Sequence, residues 1–540
     1  MEEESAMEAK SPELTRWVTA RLSRKRIGEK WKEESKKMWQ IAAPAILTSV
    51  TQFSIGFVTS AFVGHIGDVE LAAVSVVQNV IEGFVFGFML GMGSALETLC
   101  GQAVGAGRFN MLGIYMQRSW IITFVTALCL TPVYVFTSPL LKLLRQDKSI
   151  SDVAAKYSIY VIPQLFAYAI NFPIQKFLQS QSKVWIMTII SVVALAIHVV
   201  LNWVLVILLR EGMLGAAMAG NISWWIIILA QIVYIIAGYF PESWTGFSLQ
   251  AFKSLTAFVK LSLASAVMLC LELWYWTGVI LMVGYLKNPE IEVDAISICA
   301  RIHMVASINL PCSLIWQHEF AALDIDGGSW FQCCSECADK IVVTSEVYIL
   351  VRVSNELGAG QPNAAKFSVV VSVMTSVLFG VIFTVVVLAT KHNFPRMFTG
   401  RPRLIGETLK LEYFLAASIF LNSVQPVLNG VAVGAGWQFL VALINIGCYY
   451  IFGLPIGALL GYVFDLRVQG IWSGMIVGVL LQTVILLAIL FRTNWHKEVV
   501  QAEKRMRTWG GPCSPQLSSK GSTPDRTSKG STPDRRSTAA

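Results

Sequence analysis

Gly105-Ala106-Gly107 and Gly358-Ala359-Gly360 are one short loop written twice, 253 residues apart. Each follows a stretch that is membrane-length or partly so. Each then leads through one or two polar residues and a short helical segment into another apolar run. A second pair keeps nearly the same offset. Met213-Leu214-Gly215-Ala216 and Val468-Gln469-Gly470-Ile471 lie 255 residues apart, and both open apolar runs. Similar offsets in two distant windows argue for two copies of one structural unit.

The rest of the chain says where those copies live. Its 540 residues are 55% hydrophobic and only 14% charged, with a mean hydropathy of +0.59. A soluble domain carries roughly 25% charged residues, so most of this chain is expected to face lipid. A span needs about 20 apolar residues. Eleven stretches qualify: Trp39–Val63, Leu71–Leu96, Trp120–Leu141, Val153–Leu178, Val184–Leu209, Met213–Tyr239, Phe258–Tyr285, Phe367–Ala389, Tyr413–Gly434, Phe439–Phe464 and Ile471–Phe491. A twelfth should start near Ala295, and it is abnormal. The N-terminus is long and charged, so it does not read as a cleavable signal peptide.

The net charge of +8 is placed around spans and is not a nucleic-acid signal. Arg24-Lys25-Arg26, Lys30, Lys32, Lys36 and Lys37 precede the first span, and Lys497, Lys504, Arg505 and Arg507 follow the last. Positive charge beside spans reads as cytosolic. Twelve spans put both termini on one side, so the clusters agree. The loop Lys391–Arg403, with four basic residues on the far side, pulls the other way without reversing the assignment. Of ten cysteines, Cys100, Cys129, Cys270 and Cys448 sit in or at the ends of spans and read as small apolar residues.

The organisation follows. Residues 1–37 are a charged tail, 38–240 a first lobe of six spans, 241–253 a polar linker, 254–495 a second lobe of six, and 496–540 a mostly disordered tail. That tail repeats Ser519–Arg526 as Ser528–Arg535 and is poor in apolar residues. Six spans per unit is an even number, so both copies insert the same way up. They are then related by an axis along the membrane normal, an arrangement found among secondary transporters, with the cleft between lobes as the natural path.

Four longer stretches carry a family resemblance: Val63-Gly64-His65-Ile66-Gly67, Met92–Ala103, Val351-Arg352-Val353-Ser354-Asn355-Glu356-Leu357-Gly358-Ala359-Gly360 and Gly434-Ala435-Gly436-Trp437-Gln438. Through them the chain resembles the multidrug and toxic compound extrusion (MATE) transporters, and among these the plant DETOXIFICATION branch with its flavonoid carriers. The match runs from about Trp39 to Trp495 with one interruption. The resemblance implies an all-α membrane protein of twelve helices in two lobes. It further implies export of organic solutes in exchange for protons at a vacuolar or plasma membrane.

Glu272 is the leading candidate for chemistry. It lies midway through its span, in Leu271-Glu272-Leu273-Trp274-Tyr275-Trp276. An ionisable residue there is costly, should face a cavity and marks function by default; the bland alternative is a packing hydrogen bond between helices. A carboxyl that changes protonation state can trade a proton for a cationic or hydrogen-bonding solute. Tyr275 and Trp276, at i+3 and i+4, together with Trp274, would wall a pocket for flat molecules. The resemblance agrees, since this glutamate matches the proton-coupling acid of the family's second lobe.

Glu82, in Gln78-Asn79-Val80-Ile81-Glu82-Gly83, poses the same question in the first lobe. It reads as a second proton site or as an interhelical hydrogen bond, with Gln78 and Asn79 as candidate solute contacts. Glu97 lies at the end of its span and is expected to cap or pair at the membrane interface. Asn422 and Gln425 interrupt the span Tyr413–Gly434 and are candidate solute contacts. Some plant members that this chain resembles carry an aspartate at the place of Asn422, and its absence here leaves Glu272 as the best lone proton carrier of that lobe. Pro426 frees a backbone carbonyl, which is tolerated where the backbone lines a cavity. Pro44 either bends the first helix or is a plain first-turn proline; in the family a bend of that helix is one proposed response to protonation. His65 is expected at the interface, and His198 is expected to hydrogen-bond a neighbouring helix.

The second copy breaks between Cys299 and Val351. Ala300–Leu350 is 51 residues long and contains Arg301, His303, Pro311, His318, Glu319, Asp324, Asp326 and Asp339. Cys333, Cys334 and Cys337 with His318 fit no standard zinc spacing. Read one nucleotide later, Asp326–Cys334 permits Met-Val-Glu-Ala-Gly-Phe-Asn-Ala. Its end resembles what the family carries before Val-Arg-Val-Ser, so the segment reads as translated intron plus a shifted exon.

The expected function is secondary active efflux of organic solutes (secondary metabolites such as flavonoids, or xenobiotics) driven by a proton gradient. No other cofactor, metal, nucleic acid or enzymatic activity is expected, and the chain is expected to work as a monomer in the bilayer. The alternatives are an anion channel or carrier on the same scaffold, and a transport-defective form caused by segment 300–350.

Overall fold

The computed structural model describes residues 2–144, 146–253, 255–286, 346–390 and 402–510, with most side chains from residue 28 onward. The abnormal segment 300–350, its cysteine cluster and its reading-frame question therefore lie almost wholly outside the described residues.

Every described element is helical. The first lobe holds α1 (Glu2–Val63), α2 (Asp68–Gly105), α3 (Asn110–Val135), the bent pair α4 (Lys148–Tyr160) and α5 (Ile162–Ser180), α6 (Val184–Leu208) and α7 (Gly212–Tyr239). The second lobe holds α8 (Leu255–Gly284), a helical segment α9 over 346–358, α10 (Pro362–Thr390), α11 (Pro402–Ala435), α12 (Gln438–Val463) and α13 (Arg467–Arg492). A final amphipathic helix, α14 (Trp495–Gly510), follows. Ten of the described helices are long and apolar enough to cross a membrane, and the pair α4–α5, bent by 51°, makes eleven. With α9 standing at the place of the eighth span, the order is that of twelve helices in two lobes.

Solvent exposure has the membrane pattern. Large apolar side chains such as Val125, Leu128, Val193, Ile236, Val385 and Val484 point outward. Apolar patches of that extent mark contact with lipid or a partner, and here they cover helices of span length. One contiguous core fills the first lobe and takes in Phe258 and Ala266 of α8. Three smaller clusters fill the second.

The duplication is visible in the backbone. The turn after α2 holds Gly107 (φ 69°) and the turn after α9 holds Gly360 (φ 70°), a left-handed position that glycine reaches without a Cβ clash. Arg210 (φ 55°) and Asp465 (φ 53°) occupy that same region in the two copies, as do Gly212 (φ 59°) and Arg467 (φ 50°). Both pairs stand 255 apart, the offset of Gly215 and Gly470. Those two glycines pack against the carbonyls of Leu205 and Leu460, again matching positions.

The copies meet on a small-residue seam. A Cβ on Gly105 would collide with the Asn355 carbonyl, and one on Gly358 with the Gln102 carbonyl. Since 102 and 355 are themselves repeat partners, the contact is two-fold: each copy presents the same surface to the other. Gly101 against Ser354, and Gly91 against Ala266, bring the backbones together in the same way. Thr98 Oγ1 donates to the Val433 carbonyl (2.8 Å), Gln102 Nε2 to the Gly434 carbonyl (3.3 Å), and Gln438 Nε2 to Thr98 Oγ1 (2.9 Å).

Helix α1 runs unbroken through the range expected as a tail, and its Glu34 is buried against the other lobe. Pro44 consequently lies deep inside α1, which removes the first-turn reading. Its carbonyl accepts from the hydroxyls of both Thr48 and Thr188, each at 2.8 Å, so the proline level is tied to α6. Glu97 also differs from expectation. It is 2% exposed and pairs with Lys176 of α5 at 2.7 Å, because α2 continues to Gly105 and carries Glu97 inside the lobe. His198 joins Thr59 (3.1 Å) to Ser223 (2.9 Å) across three helices. His65, in the turn after α1, is exposed and bonds the Ala61 carbonyl of that helix.

Candidate functional site

The site is built on α8 and α11. Gln425 and Asn429 are one helical turn apart on α11, so they share a face, and that face meets Glu272 of α8. Gln425 Nε2 donates to Glu272 Oε1 (2.8 Å) and Asn429 Nδ2 to Oε2 (3.2 Å). Both oxygens of one acid are thus held by amide N–H donors from a single helix.

A hydrogen-bond chain stands behind them. Gln425 Nε2 also lies 3.4 Å from the Tyr449 hydroxyl. Tyr449 donates to Gln482 Oε1 at 2.5 Å, Gln482 Nε2 to Asn445 Oδ1 at 2.7 Å, and Asn445 Nδ2 to the Met268 carbonyl at 3.4 Å. Met268 is one turn from Glu272, so the chain leaves α8, passes through α11, α12 and α13, and returns to α8. A segment of π-helix, Ile446–Gly453, carries Tyr449. Such local widening is frequent at functional sites.

The predicted aromatic wall is only partly there. Tyr275 is buried inside the lobe: its ring stacks on Tyr449 (centroids 4.3 Å apart, planes at 6°) and its hydroxyl donates to the Met475 carbonyl at 3.2 Å. It supports Tyr449 from behind and does not line an open pocket, because the turn of α8 that carries it points between α12 and α13. Trp274 is exposed and stacks on Phe84 of α2, across the lobe boundary, at 6.1 Å and 3°. The Trp276 side chain lies outside the described residues. Asn422 lines a small pocket with Ser418, Leu421, Met475, Ile476 and Val479. Pro426, inside α11, lacks the N–H that would bond the Asn422 carbonyl, so the polar character of that stretch is in the backbone as well.

In the first lobe Glu82 is half-buried and closes a second π-helical segment, Val77–Glu82. The buried Tyr134, Tyr157 and Tyr168 belong to the same lobe. Gln78, one turn earlier, accepts from Ser60 Oγ (2.8 Å) and donates to the Gly56 carbonyl (3.4 Å), tying α2 to α1. Asn79 differs from the expected solute contact: it is exposed and donates to Ser75 of its own helix. It falls on the neighbouring face because i+1 turns about 100° round the helix.

Sequence reasoning missed three groups. Asn429 was legible as the i+4 neighbour of Gln425. Lys176 lay inside an apolar span, where the cost of a charge is itself a signal. The third joins α1 to the second lobe. Glu34 accepts from Arg352 Nε (2.6 Å) and Nη2 (3.2 Å), from Ser368 (2.6 Å) and from Tyr348 (3.3 Å), while Arg352 also holds Glu356 at 2.5 Å. Helix α14 buries Trp495, Ala502 and Met506, and its Glu498 accepts from Trp437 Nε1 at 3.1 Å. No group of metal-ligating residues is present among the described residues.

A duplicated two-lobe helical membrane protein, joined at one end and carrying an amide-clamped acid inside a span of its second lobe, is by class a membrane transporter. The profile of the MatE family matches residues 44–204 and 349–459, and the chain belongs to that family. It is 50% identical over 501 residues to Protein DETOXIFICATION 33 of Arabidopsis thaliana, covering 93% of this chain and 96% of the relative. To Protein DETOXIFICATION 29 of Arabidopsis thaliana it is 50% identical over 481 residues, 89% of this chain and 90% of that one. The crystal structure of eukaryotic MATE transporter AtDTX14 superposes with a TM-score of 0.76 at 28% identity, covering 88% of this chain and 99% of that chain. The Vibrio cholerae MATE transporter VcmN in its bent form gives 0.70 at 16% identity, with 88% and 99% covered, and shows the shared fold.

Proposed function

We propose that this chain exports organic solutes across a membrane in exchange for protons, with Glu272 as the carboxyl that carries the proton. The observation that carries the reading is the double amide clamp on Glu272 inside a span. A carboxylate placed in an apolar lobe is costly unless bonded. Two N–H donors stabilise the charged form, and a proton neutralises it when they are lost. One site therefore has two stable occupancies, which is the requirement for exchange. In a cycle, a cationic or hydrogen-bonding solute takes the place beside the carboxylate, and an arriving proton makes that place unfavourable and releases the solute. Glu82 is a second candidate acid in the other lobe.

The names of the relatives, which speak of detoxification, support xenobiotics or secondary metabolites as the solutes. The basic clusters at both ends support cytosolic termini, and the vacuolar membrane is the proposed location. The test is acid-driven efflux of a fluorescent aromatic cation or of a flavonoid glycoside from vesicles containing the full chain. Flux that follows the pH difference and collapses with it is the expected result. Flux that ignores it and follows the membrane potential of an anion instead would replace this reading with an anion carrier.

A further inference from the structure

We propose that Asn429 registers the protonation state of Glu272 and transmits it to the seam between the lobes. The inference rests on Glu272 being the proton carrier and adds the residue that reads it.

The two amides on Glu272 are not equivalent. Gln425 Nε2 is held between Glu272 and the Tyr449 hydroxyl, and Tyr449 is fixed in turn by Gln482. Asn429 makes one side-chain bond, from Nδ2 to Glu272 Oε2, and its Oδ1 is buried with no partner among the described residues. The residue itself is 2% exposed. An unmet buried carbonyl is expensive, and in one specific circumstance Oδ1 gains a donor. When hydronium delivers a proton to Glu272 Oε2, the new O–H bond turns that oxygen into a donor facing the Nδ2–H donor. Rotation of the amide by half a turn brings Oδ1 to face the new hydroxyl and accept from it. The bond broken is the hydronium O–H, and water leaves; Nδ2 gives up its acceptor in the rotation, so the gain is removal of the donor–donor clash.

What Asn429 does next depends on where it stands. It is followed by Gly430, whose missing Cβ leaves room for the Glu346 carbonyl of α9, 2.5 Å from where that Cβ would be. One turn further, the Val433 and Gly434 carbonyls accept from Thr98 and Gln102 of the first lobe. A change in how Asn429 fills its buried site therefore acts on the stretch of α11 that both α9 and the first lobe rest on. Among the described residues, Tyr449 of α12 and Glu346 of α9 are the titratable groups of other elements that lie toward Glu272.

The experiment uses the full chain in proteoliposomes with ethidium as probe, and measures pH-driven efflux against pH. Asn429→Val removes the hydrogen bonds and leaves an apolar side chain; Asn429→Ser restores a group that both donates and accepts. The expected result is a loss of about tenfold in efflux and a displacement of the pH midpoint by about one unit in Asn429→Val, with both restored in Asn429→Ser. A purely structural role would lower the rate without moving the midpoint, and that outcome overturns the proposal. An equal displacement in Asn429→Ser overturns it too. Where Asn429→Val fails to reach the membrane, Asn429→Ala takes its place under the same criteria. Glu346→Gln must retain the displacement; if the displacement disappears in that background, Glu346 carries the effect and the proposal fails. Glu272→Gln separates the two layers: undiminished pH-driven efflux there defeats the reading of Glu272. Abolished efflux there, with an unmoved midpoint in Asn429→Val, defeats only the sensor.

Discussion

Gly105 lies directly against the backbone carbonyl of Asn355, with no room for even one carbon between them. The reciprocal contact, Gly358 on Gln102, makes this the place where the two copies of the fold touch by the same surface. Small residues at helix crossings allow the close backbone approach that drives association inside lipid. Gly358→Val is expected to cost about 1–3 kcal/mol through overpacking. Gly406→Val, at a position where an added Cβ would meet nothing within 4 Å, serves as the control. Thermal unfolding in detergent, followed by tryptophan fluorescence, measures the difference.

Lys176 and Glu97 form a buried pair at 2.7 Å, with side chains 7% and 2% exposed. Removing one partner strands the other charge. Lys176→Met alone is expected to destabilise the protein by about 3–5 kcal/mol. The double change Lys176→Met with Glu97→Leu is expected to recover most of that loss. Recovery in the double variant, read in the same unfolding assay, distinguishes a charge effect from a packing effect.

Glu34 and Arg352 join α1 to α9 by two bonds, 2.6 and 3.2 Å long. The side chains are 7% and 22% exposed, so solvent screens the pair little on the Glu34 side. A double-mutant cycle with Glu34→Gln and Arg352→Gln is expected to give a coupling energy of about 1–3 kcal/mol. Additive single effects would mean that the contact does not hold the lobes together.

Gln482 touches neither Glu272 nor the cleft, yet it fixes Tyr449, which borders Gln425. Gln482→Leu is expected to reduce pH-driven efflux several-fold while the protein remains folded. Loss of the Gln482–Asn445 bond by Asn445→Leu should give the same phenotype, and the double variant should add little, since members of one network are not additive.

The lobes were legible because duplication leaves matching residues at a fixed offset, and the glycines that encode it are the ones the seam requires. Glu272 was legible because an acid inside an apolar run is costly wherever it points. Its partners were legible only in part. Gln425 stood out beside Pro426, and Asn429 follows it by one turn, whereas Tyr449 and Gln482 are ordinary residues until helix rotation and lobe packing bring them together. Rotation also explains the misses. Tyr275 shares a helix face with Glu272 within about one turn, but α12 and α13 close over it, and Asn79 turns outward one residue past Gln78. Glu34 read as part of a charged tail because nothing in its own neighbourhood announces the arginine that waits 318 residues away.

The most direct measurement is pH-driven efflux by Glu272→Gln in proteoliposomes, with the unaltered chain alongside. Glutamine keeps the shape and one acceptor oxygen but cannot carry the proton. The expected result is flux that no longer responds to the pH difference, at an unchanged level of folded protein. Flux that still tracks the pH difference at the level of the unaltered chain would contradict the role given to Glu272 and, with it, the exchange mechanism.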